Sequence, residues 1–432
     1  MFDQDGKLID AEEASEYEDL LWDDLVAEAF KYSKAHQDSI DVDLSFADFL
    51  SEKVQSLFTD ESAKEAERKR ETLLRVAKMW GAYVGSPIER QSLRNFWLEE
   101  CIEGENLVVA ETYREILDEV AKTAVAGAEL RLNSKVVRIS SHADDMGAKR
   151  SRASIHALNG LWDFDEVVVT TPLGWLKRNQ QAFEPRLPQR LAQAIDSVGY
   201  GTLDKVYITF PLAFWDVPLP SEQEIPNGID RQRTTPDSTG REPLRQPTLQ
   251  SREKHYAGFT HYMSPAYAST INPRGWDQEA MNLAALPASC AHPTLLFYTY
   301  GDCSLHIAAI VTDSPSEEER DAKLLDFFKP YYSLLPNFDE EEPACKPKAV
   351  LATAWANDEF AGYGSYSNFQ IGLEDGAREI EVMRHGMPER SVWFAGEHTA
   401  PFDSSGTTSG AYMSGDAVAN RIAQVYSLER FH

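Results

Sequence analysis

One stretch near the C-terminus constrains this chain more than any other. Residues 392–399 read Val-Trp-Phe-Ala-Gly-Glu-His-Thr, and residues 405–415 read Ser-Gly-Thr-Thr-Ser-Gly-Ala-Tyr-Met-Ser-Gly. The apolar run predicts a short buried strand over 391–395. It ends on a glycine and an acid, after which a Gly/Thr-rich turn opens a helix over 407–425. The first turn of a helix carries unsatisfied N–H groups and the positive end of the dipole, so it can hold an anionic or electron-rich ligand. Glycines at 406, 410 and 415 let a ligand or another backbone come close. A tight strand–turn–helix packing without a ligand accounts for the same pattern equally well.

Upstream, the patterning changes character three times. Leu20, Leu21, Leu25, Ala29 and Phe30 recur at helical spacing within a helix predicted over 11–36. Phe46, Phe49, Leu50, Val54 and Leu57 line a second, which Ser45 and Asp48 open as a capping pair. A third, rich in charge, covers 62–83. Helices are also expected over 112–125, 186–197 and 316–331. Strands are expected over 129–139, 152–158, 166–170, 203–210, 255–262, 294–300 and 349–354. Pro172 and Gly174 close the 166–170 run. Residues 218–254 are polar and rich in Pro, Gly, Arg and Gln, which reads as a surface loop insertion. The order is helical block, α/β stretch, mixed antiparallel stretch and α/β close. That is the layout of one domain interrupted by another, and 432 residues suit two domains. No G-x-G-x-x-G follows a predicted strand, and Gly362-Tyr363-Gly364 falls in a loop with no helix behind it.

A net charge of −28 argues against nucleic acid as a partner. It favours a cationic small molecule through long-range attraction, although solubility alone is the plainer reason for such a balance. No run of about 18 apolar residues exists to form a membrane-spanning helix, and no signal-peptide pattern opens the chain. Cys101, Cys290, Cys303 and Cys345 form no CxxC pair and have no histidine at ligand spacing, so no metal is expected. Free thiols point to a reducing compartment, and a cytoplasmic location is the expectation.

Two more segments carry candidate chemistry. Lys205 interrupts the apolar pattern of 203–210, with Phe214-Trp215 following. On periodicity alone it reads as an edge-strand lysine reaching solvent; the alternative is a buried amine with a lowered pKa, able to relay protons. Residues 355–367 bring Trp355, Gly362, Gly364 and Tyr366 into one loop, where each aromatic taken singly reads as core. Glu99, Glu100 and Glu103 beside Trp97 read as a solvated acidic face, with attraction of a polycation as the other reading. Ser409, His398 and Asp403 are not a hydrolase triad, because the serine is not on a G-x-S-x-G elbow.

Taken together, these segments resemble the flavin-containing amine oxidases over about residues 20–422, and the polyamine-oxidase type most. The resemblance implies an α/β (α+β mixed) fold: a Rossmann-like FAD-binding domain interrupted by a substrate domain with a mixed sheet and helices. It implies the boundaries 1–103 for the helical part of the substrate domain, 104–175 for FAD-binding domain, 176–384 for substrate domain and 385–432 for the closing FAD-binding segment. Carried over position by position, Glu397 and Gly396 would bind FAD. Thr407 and Thr408 would lie beneath the isoalloxazine ring, where a positive helix end favours the reduced flavin anion. Lys205 would hold a water near flavin N5, and Tyr366 and Tyr412 would form the aromatic pair facing the ring. Trp355 matches the Trp of the tyrosine loop, and Val136 matches the valine on the adenine side, with plain core as its alternative. Thr170-Thr171-Pro172-Leu173-Gly174 resembles the strand-end turn of the FAD domain.

The chain departs from the family at one place. The glycine-turn βαβ unit that holds the FAD pyrophosphate, and a Gly-Gly-Arg loop, are expected to be missing from it. The implied function is FAD-dependent oxidation of an amine, a polyamine first, with oxygen as the electron acceptor and hydrogen peroxide as product. Tyr412 in a Gly-Ala-Tyr setting favours polyamines. The alternatives are a non-catalytic remnant, and an oxidase of protein lysine or of amino acids.

Overall fold

The computed structural model describes residues 1–100, 109, 112–142, 152–216 and 256–428. The chain forms two compact units from interleaved segments. One comprises Met1–Leu8, Lys205–Phe297 and Ser314–Ala352; the other comprises Ile9–Asp204, Tyr298–Asp313 and Thr353–His432. The loop insertion expected over 218–254 lies outside the described residues.

The helical block belongs to the larger unit. The first long helix is Ala11–Asp19 and Ala27–His36 with a π-helical stretch, Leu20–Val26, between them. Asp10 caps it by accepting from the N–H groups of Glu12 and Glu13. The Phe46–Lys53 helix begins with the capping pair read from the sequence. Ser45 Oγ accepts from the Asp48 N–H at 3.1 Å, and Asp48 Oδ2 accepts from the Ser45 N–H at 2.9 Å. Ala63–Val76 follows, capped by Ser62. Their apolar faces meet in an aromatic core, with Phe96 stacked on Phe46 at 4.3 Å and on Phe30 at 4.9 Å, and Trp80 tilted against it at 5.4 Å. Phe46 and Phe96 are fully buried, so truncating either to Ala costs about 3–5 kcal/mol.

Three sheets build the rest of this unit. Gly160–Phe164, Arg152–Ala157, Val136–His142 and Phe183–Glu184 lie side by side in that order. The expected strand over 129–139 starts only at Val136; before it Asn133 adopts φ +56°, in the left-handed region typical of turns. Gly199–Tyr200 pairs antiparallel with Ser367–Asn368. Val392–Phe394 pairs parallel with Val167–Val169. Ile139, Val167, Val169, Leu173, Leu191, Ile195, Ile380, Met383 and Phe394 form one buried core beneath them.

The smaller unit is organised by one sheet, in the order Ala349–Ala352, Leu203–Thr209, Thr294–Tyr300, Gln278–Asn282, Phe259–Tyr262. The strand expected over 255–262 begins at Phe259, and Gln278–Asn282 had no clear sequence signal. Phe297 lies tilted at 4.6 Å against Phe328 of the Glu317–Tyr332 helix.

Candidate functional site

The parallel pair positions the site in the larger unit. Phe394 registers with Val169, and the Ala395 N–H donates to the Val169 carbonyl at 3.1 Å. Both strands therefore leave the sheet at the same carboxyl end, where open α/β sheets bind ligands. Thr171 and Pro172 leave from one strand, Gly396 and Glu397 from the other. Gly396 makes the bend at φ +148°, and a Cβ there would sit 2.8 Å from the His398 ring, so only glycine serves. Opposite it, Gly174 packs so closely that a Cβ would lie 1.9 Å from the Gly362 carbonyl oxygen. The strand-end turn and the tyrosine loop, far apart in sequence, are thus in direct backbone contact.

Glu397 is latched in place. Its Oε1 accepts from the Ser367 N–H at 3.2 Å, and its Oε2 accepts from Ser367 Oγ at 2.5 Å and from the Gly406 N–H at 3.1 Å. Burial raises its carboxyl pKa, and the three donors oppose that rise. The closing helix, Thr408–Val425, is capped by Thr407, whose Oγ1 accepts from the Gly410 N–H at 2.9 Å and donates to the Ser404 carbonyl at 2.7 Å. Ser414 Oγ accepts from the Gly396 N–H at 2.8 Å, tying the strand exit to the second turn of the helix. The helix end is therefore rigidly set, and no acid lies in its first turn to quench the dipole.

Tyr366 and Tyr412 both reach this helix end. The Tyr366 hydroxyl donates to the Tyr83 carbonyl, and its ring lies 3.4 Å from where a Cβ on Gly406 would begin. Tyr83 in turn packs edge-on against Trp22 at 5.2 Å. Tyr412 stands one turn beyond Thr408 on the same face of the helix and is 64% exposed. Glu397, Gly396, Thr407, Thr408, Tyr366 and Tyr412 are thus gathered around one helix terminus.

Trp355 opens a short 3-10 turn, and its N–H donates to Asp204 Oδ1 at 2.7 Å. Val136 is half-buried against the core of the larger unit. Lys205 belongs to the smaller unit. Its strand is second in the sheet, so the edge-strand reading of this lysine is corrected: the neighbouring strand Ala349–Ala352 occupies the edge. The side chain is half-buried, and burial lowers its ammonium pKa.

Sequence reading passed over Asp204 and did not foresee the surroundings of Glu99 and His398. Asp204 is fully buried and accepts from Ser304 Oγ at 2.8 Å, Thr353 Oγ1 at 2.7 Å and the Trp355 N–H. Its signal was two adjacent charges in an apolar strand, which must face opposite ways. Glu99 does not lie on a solvated acidic face: its Oε1 accepts from the Phe369 N–H at 3.1 Å. Glu100 is exposed, and Glu103 lies outside the described residues. His398 is 1% exposed, and burial lowers its pKa to about 4, so its ring is neutral at neutral pH.

The polar atoms left over at this end of the sheet define what the site can take. Thr171 Oγ1, Ser405 Oγ and both ring nitrogens of His398 are buried without a hydrogen-bond partner. Such atoms are costly unless a ligand or water satisfies them. With the Glu397 carboxyl group and an uncompensated helix terminus, they fit a flat, electron-rich ring carrying a hydroxylated chain, which is the chemistry of a flavin. Among the described residues, no group of three metal-ligating side chains exists, and no helix is long and apolar enough to cross a membrane.

Comparison with known proteins agrees with this geometry. Residues 20–423 match the family of flavin containing amine oxidoreductases. A corticosteroid-binding protein of Candida albicans is 25% identical over 396 residues, 88% of this chain and 69% of that protein. A probable polyamine oxidase 4 of Arabidopsis thaliana is 31% identical over 126 residues, 29% of this chain and 23% of that protein. The cyclohexylamine oxidase of Brevibacterium oxydans superposes with a TM-score of 0.56 at 18% identity, covering 93% of this chain and 75% of that one. That likeness establishes the shared fold. The family's cofactor is FAD, and the residues around Glu397 fit it. A match across nearly the whole chain makes it a member of the flavin-containing amine oxidoreductase family.

Proposed function

We propose that this chain oxidises an amine, with a polyamine as the favoured substrate. The latch of Glu397 at the closing helix, with Tyr366 and Tyr412 beside the same helix end, supports the reading most directly. Bound FAD would supply a two-electron acceptor for the hydride on the carbon next to the amine nitrogen, with oxygen reduced to hydrogen peroxide as the final acceptor and water hydrolysing the imine. The Glu397 carboxylate is suited to accept hydrogen bonds from the cofactor's hydroxylated chain. The N–H groups of Thr408 and Ser409 have no acceptor within their own helix and offer donors to an electron-rich ring edge. The two tyrosine rings present faces that orient a flat, cationic or newly neutral amine and shield it from water. Lys205, with its lowered ammonium pKa, suits proton relay during reoxidation by oxygen. A net charge of −28 draws a polycation in.

The test is an absorption spectrum of the purified protein. A bound yellow chromophore that bleaches anaerobically with spermidine or spermine, and releases peroxide in air, supports the reading. Bleaching by lysine-containing peptides or amino acids alone would move the substrate to those classes. A second reading, ligand binding without turnover, is favoured by the relative named for corticosteroid binding, which aligns with 88% of this chain. A preparation that holds flavin yet neither bleaches nor forms peroxide with any amine would support it.

A further inference from the structure

The loop that carries Tyr366 holds a strained residue. Gly362 and Tyr363 both lie in the left-handed region, at φ +72° and φ +61°. Glycine adopts that conformation freely, whereas a tyrosine rarely does, because its Cβ crowds the backbone. Such residues persist only where their surroundings impose them, and they gather at functional sites. The surroundings here are close. A Cβ on Gly362 would lie 2.9 Å from Pro172 Cβ and from the Trp175 nitrogen. The Tyr363 N–H donates to the Asp358 carbonyl at 2.9 Å, and the Tyr200 hydroxyl donates to the Ala361 carbonyl at 2.7 Å.

One side chain grips the strained residue directly. Arg178 ends the Leu173–Arg178 helix, and its guanidinium stands 4.1 Å from the centroid of the Tyr363 ring. A planar, weakly hydrated cation suits the face of an aromatic ring. Lys135 also reaches the loop, through Glu359 Oε2 at 2.7 Å, but both partners are exposed and such a pair contributes little. From the grip the chain runs three residues to Tyr366. The Ser365 N–H donates to the Gly201 carbonyl at 2.8 Å, and the Gly201 N–H donates to the Tyr366 carbonyl at 2.7 Å. Gly364 leaves no slack between them: a Cβ there would lie 2.5 Å from the Gly201 carbonyl oxygen and 2.6 Å from the Tyr200 ring.

We propose that Arg178 and Tyr363 form a clamp that holds this loop in its left-handed turn and so sets Tyr366 against the closing helix. Both are positioning residues, acting through Tyr366. That Tyr366 meets an amine rests on the functional reading above; the clamp does not. The turn is unfavourable for tyrosine by itself, so the stacked ring offsets part of its cost. Without the ring contact the loop opens more often, and the bonds between Gly201, Ser365 and Tyr366 open with it.

The experiment compares wild type with Arg178→Met, Tyr363→Phe, Tyr363→Ala and Tyr363→Gly on the full chain. Amide hydrogen exchange of peptides covering Gly201 and Ser365 is read by mass spectrometry, global stability by urea unfolding, and flavin reduction by anaerobic bleaching with spermidine. Exchange should rise about two- to fivefold in Arg178→Met and Tyr363→Ala, the range of an exposed cation–π contact, and stay at the wild-type rate in Tyr363→Phe, which keeps the ring face. Tyr363→Gly should have a folding constant about two- to fivefold above that of Tyr363→Ala, because only glycine is unstrained there. Yet Tyr363→Gly should bleach no faster than Tyr363→Ala, both several-fold slower than wild type and Tyr363→Phe, since neither restores the ring. Unchanged exchange in Arg178→Met overturns the clamp, and because Arg178 is exposed that variant decides even if Tyr363→Ala fails to fold. An alanine variant as stable as the glycine one refutes the strain. Bleaching rates that simply follow stability make the role structural and overturn positioning. If wild type does not bleach with spermidine, the functional reading fails, while exchange and unfolding still decide the clamp.

Discussion

Replacing Asp204 should separate its hydrogen-bonding role from its bulk. The carboxylate is fully buried on the Leu203–Thr209 strand and accepts from Ser304 Oγ at 2.8 Å, Thr353 Oγ1 at 2.7 Å and the Trp355 N–H at 2.7 Å. It therefore ties the first turn of the Gly301–Asp313 helix to the segment that carries Trp355. Hydrogen bonds to a charged acceptor contribute about 1.5–3 kcal/mol each. In Asp204→Ala the two hydroxyls can rotate toward other acceptors, but the fixed Trp355 N–H loses its charged acceptor. We expect a loss of about 3–5 kcal/mol, in the range found for breaking a buried polar network. In Asp204→Asn the amide oxygen can keep the Trp355 and Thr353 bonds at Oδ1. The amide nitrogen then faces Ser304 Oγ, which can turn to accept. Only the charge assistance is lost, about 1–2 kcal/mol. Urea unfolding followed by tryptophan fluorescence at constant m measures both. If Ala and Asn cost the same, or if Ala costs less than about 1 kcal/mol, the latch does not contribute as described.

Further outcomes follow from the same geometry. Gly174→Ala forces a Cβ toward the Gly362 carbonyl, and should lower stability by about 1–3 kcal/mol; a wild-type urea midpoint would contradict that contact. Glu397→Ala removes the acceptor for Ser367 and Gly406 and should weaken FAD binding at least tenfold, or about 1.4 kcal/mol, in a fluorescence titration. Lys205→Met should slow reoxidation by oxygen on the order of a hundredfold in stopped-flow absorbance, leaving anaerobic bleaching much less affected. The same variant tests the lowered ammonium pKa. Between that value and 10.5 the unfolded chain binds the extra proton, so wild-type stability should rise with pH there, and the Met variant should lack this rise.

The local chemistry of this protein was legible in its residues. Ser45 with Asp48 announced a helix start because a hydroxyl followed by a free N–H is a short-range interaction, whereas Thr407, read as the first residue of the closing helix, proves to be its cap. The Val392–Phe394 strand and the acid after it were equally plain, since an apolar run ending in glycine needs only its own neighbours to be read. The motif placed Glu397 at the end of a strand and before a helix. Its actual donors, Ser367 and Gly406, were not. Glu99 and Asp204 show why. Glu99 is half-buried and Asp204 fully buried, and for each a distant segment supplies donors: Phe369 for the one, Ser304 and Thr353 for the other. Lys205 looked like an edge residue until strand order placed Ala349–Ala352 outside it. Caps, periods and turns act within a few residues, so the chain alone determines them. Burial and the proton affinity of a carboxyl group depend on what the fold brings against it from hundreds of residues away, so only the tertiary structure decides them.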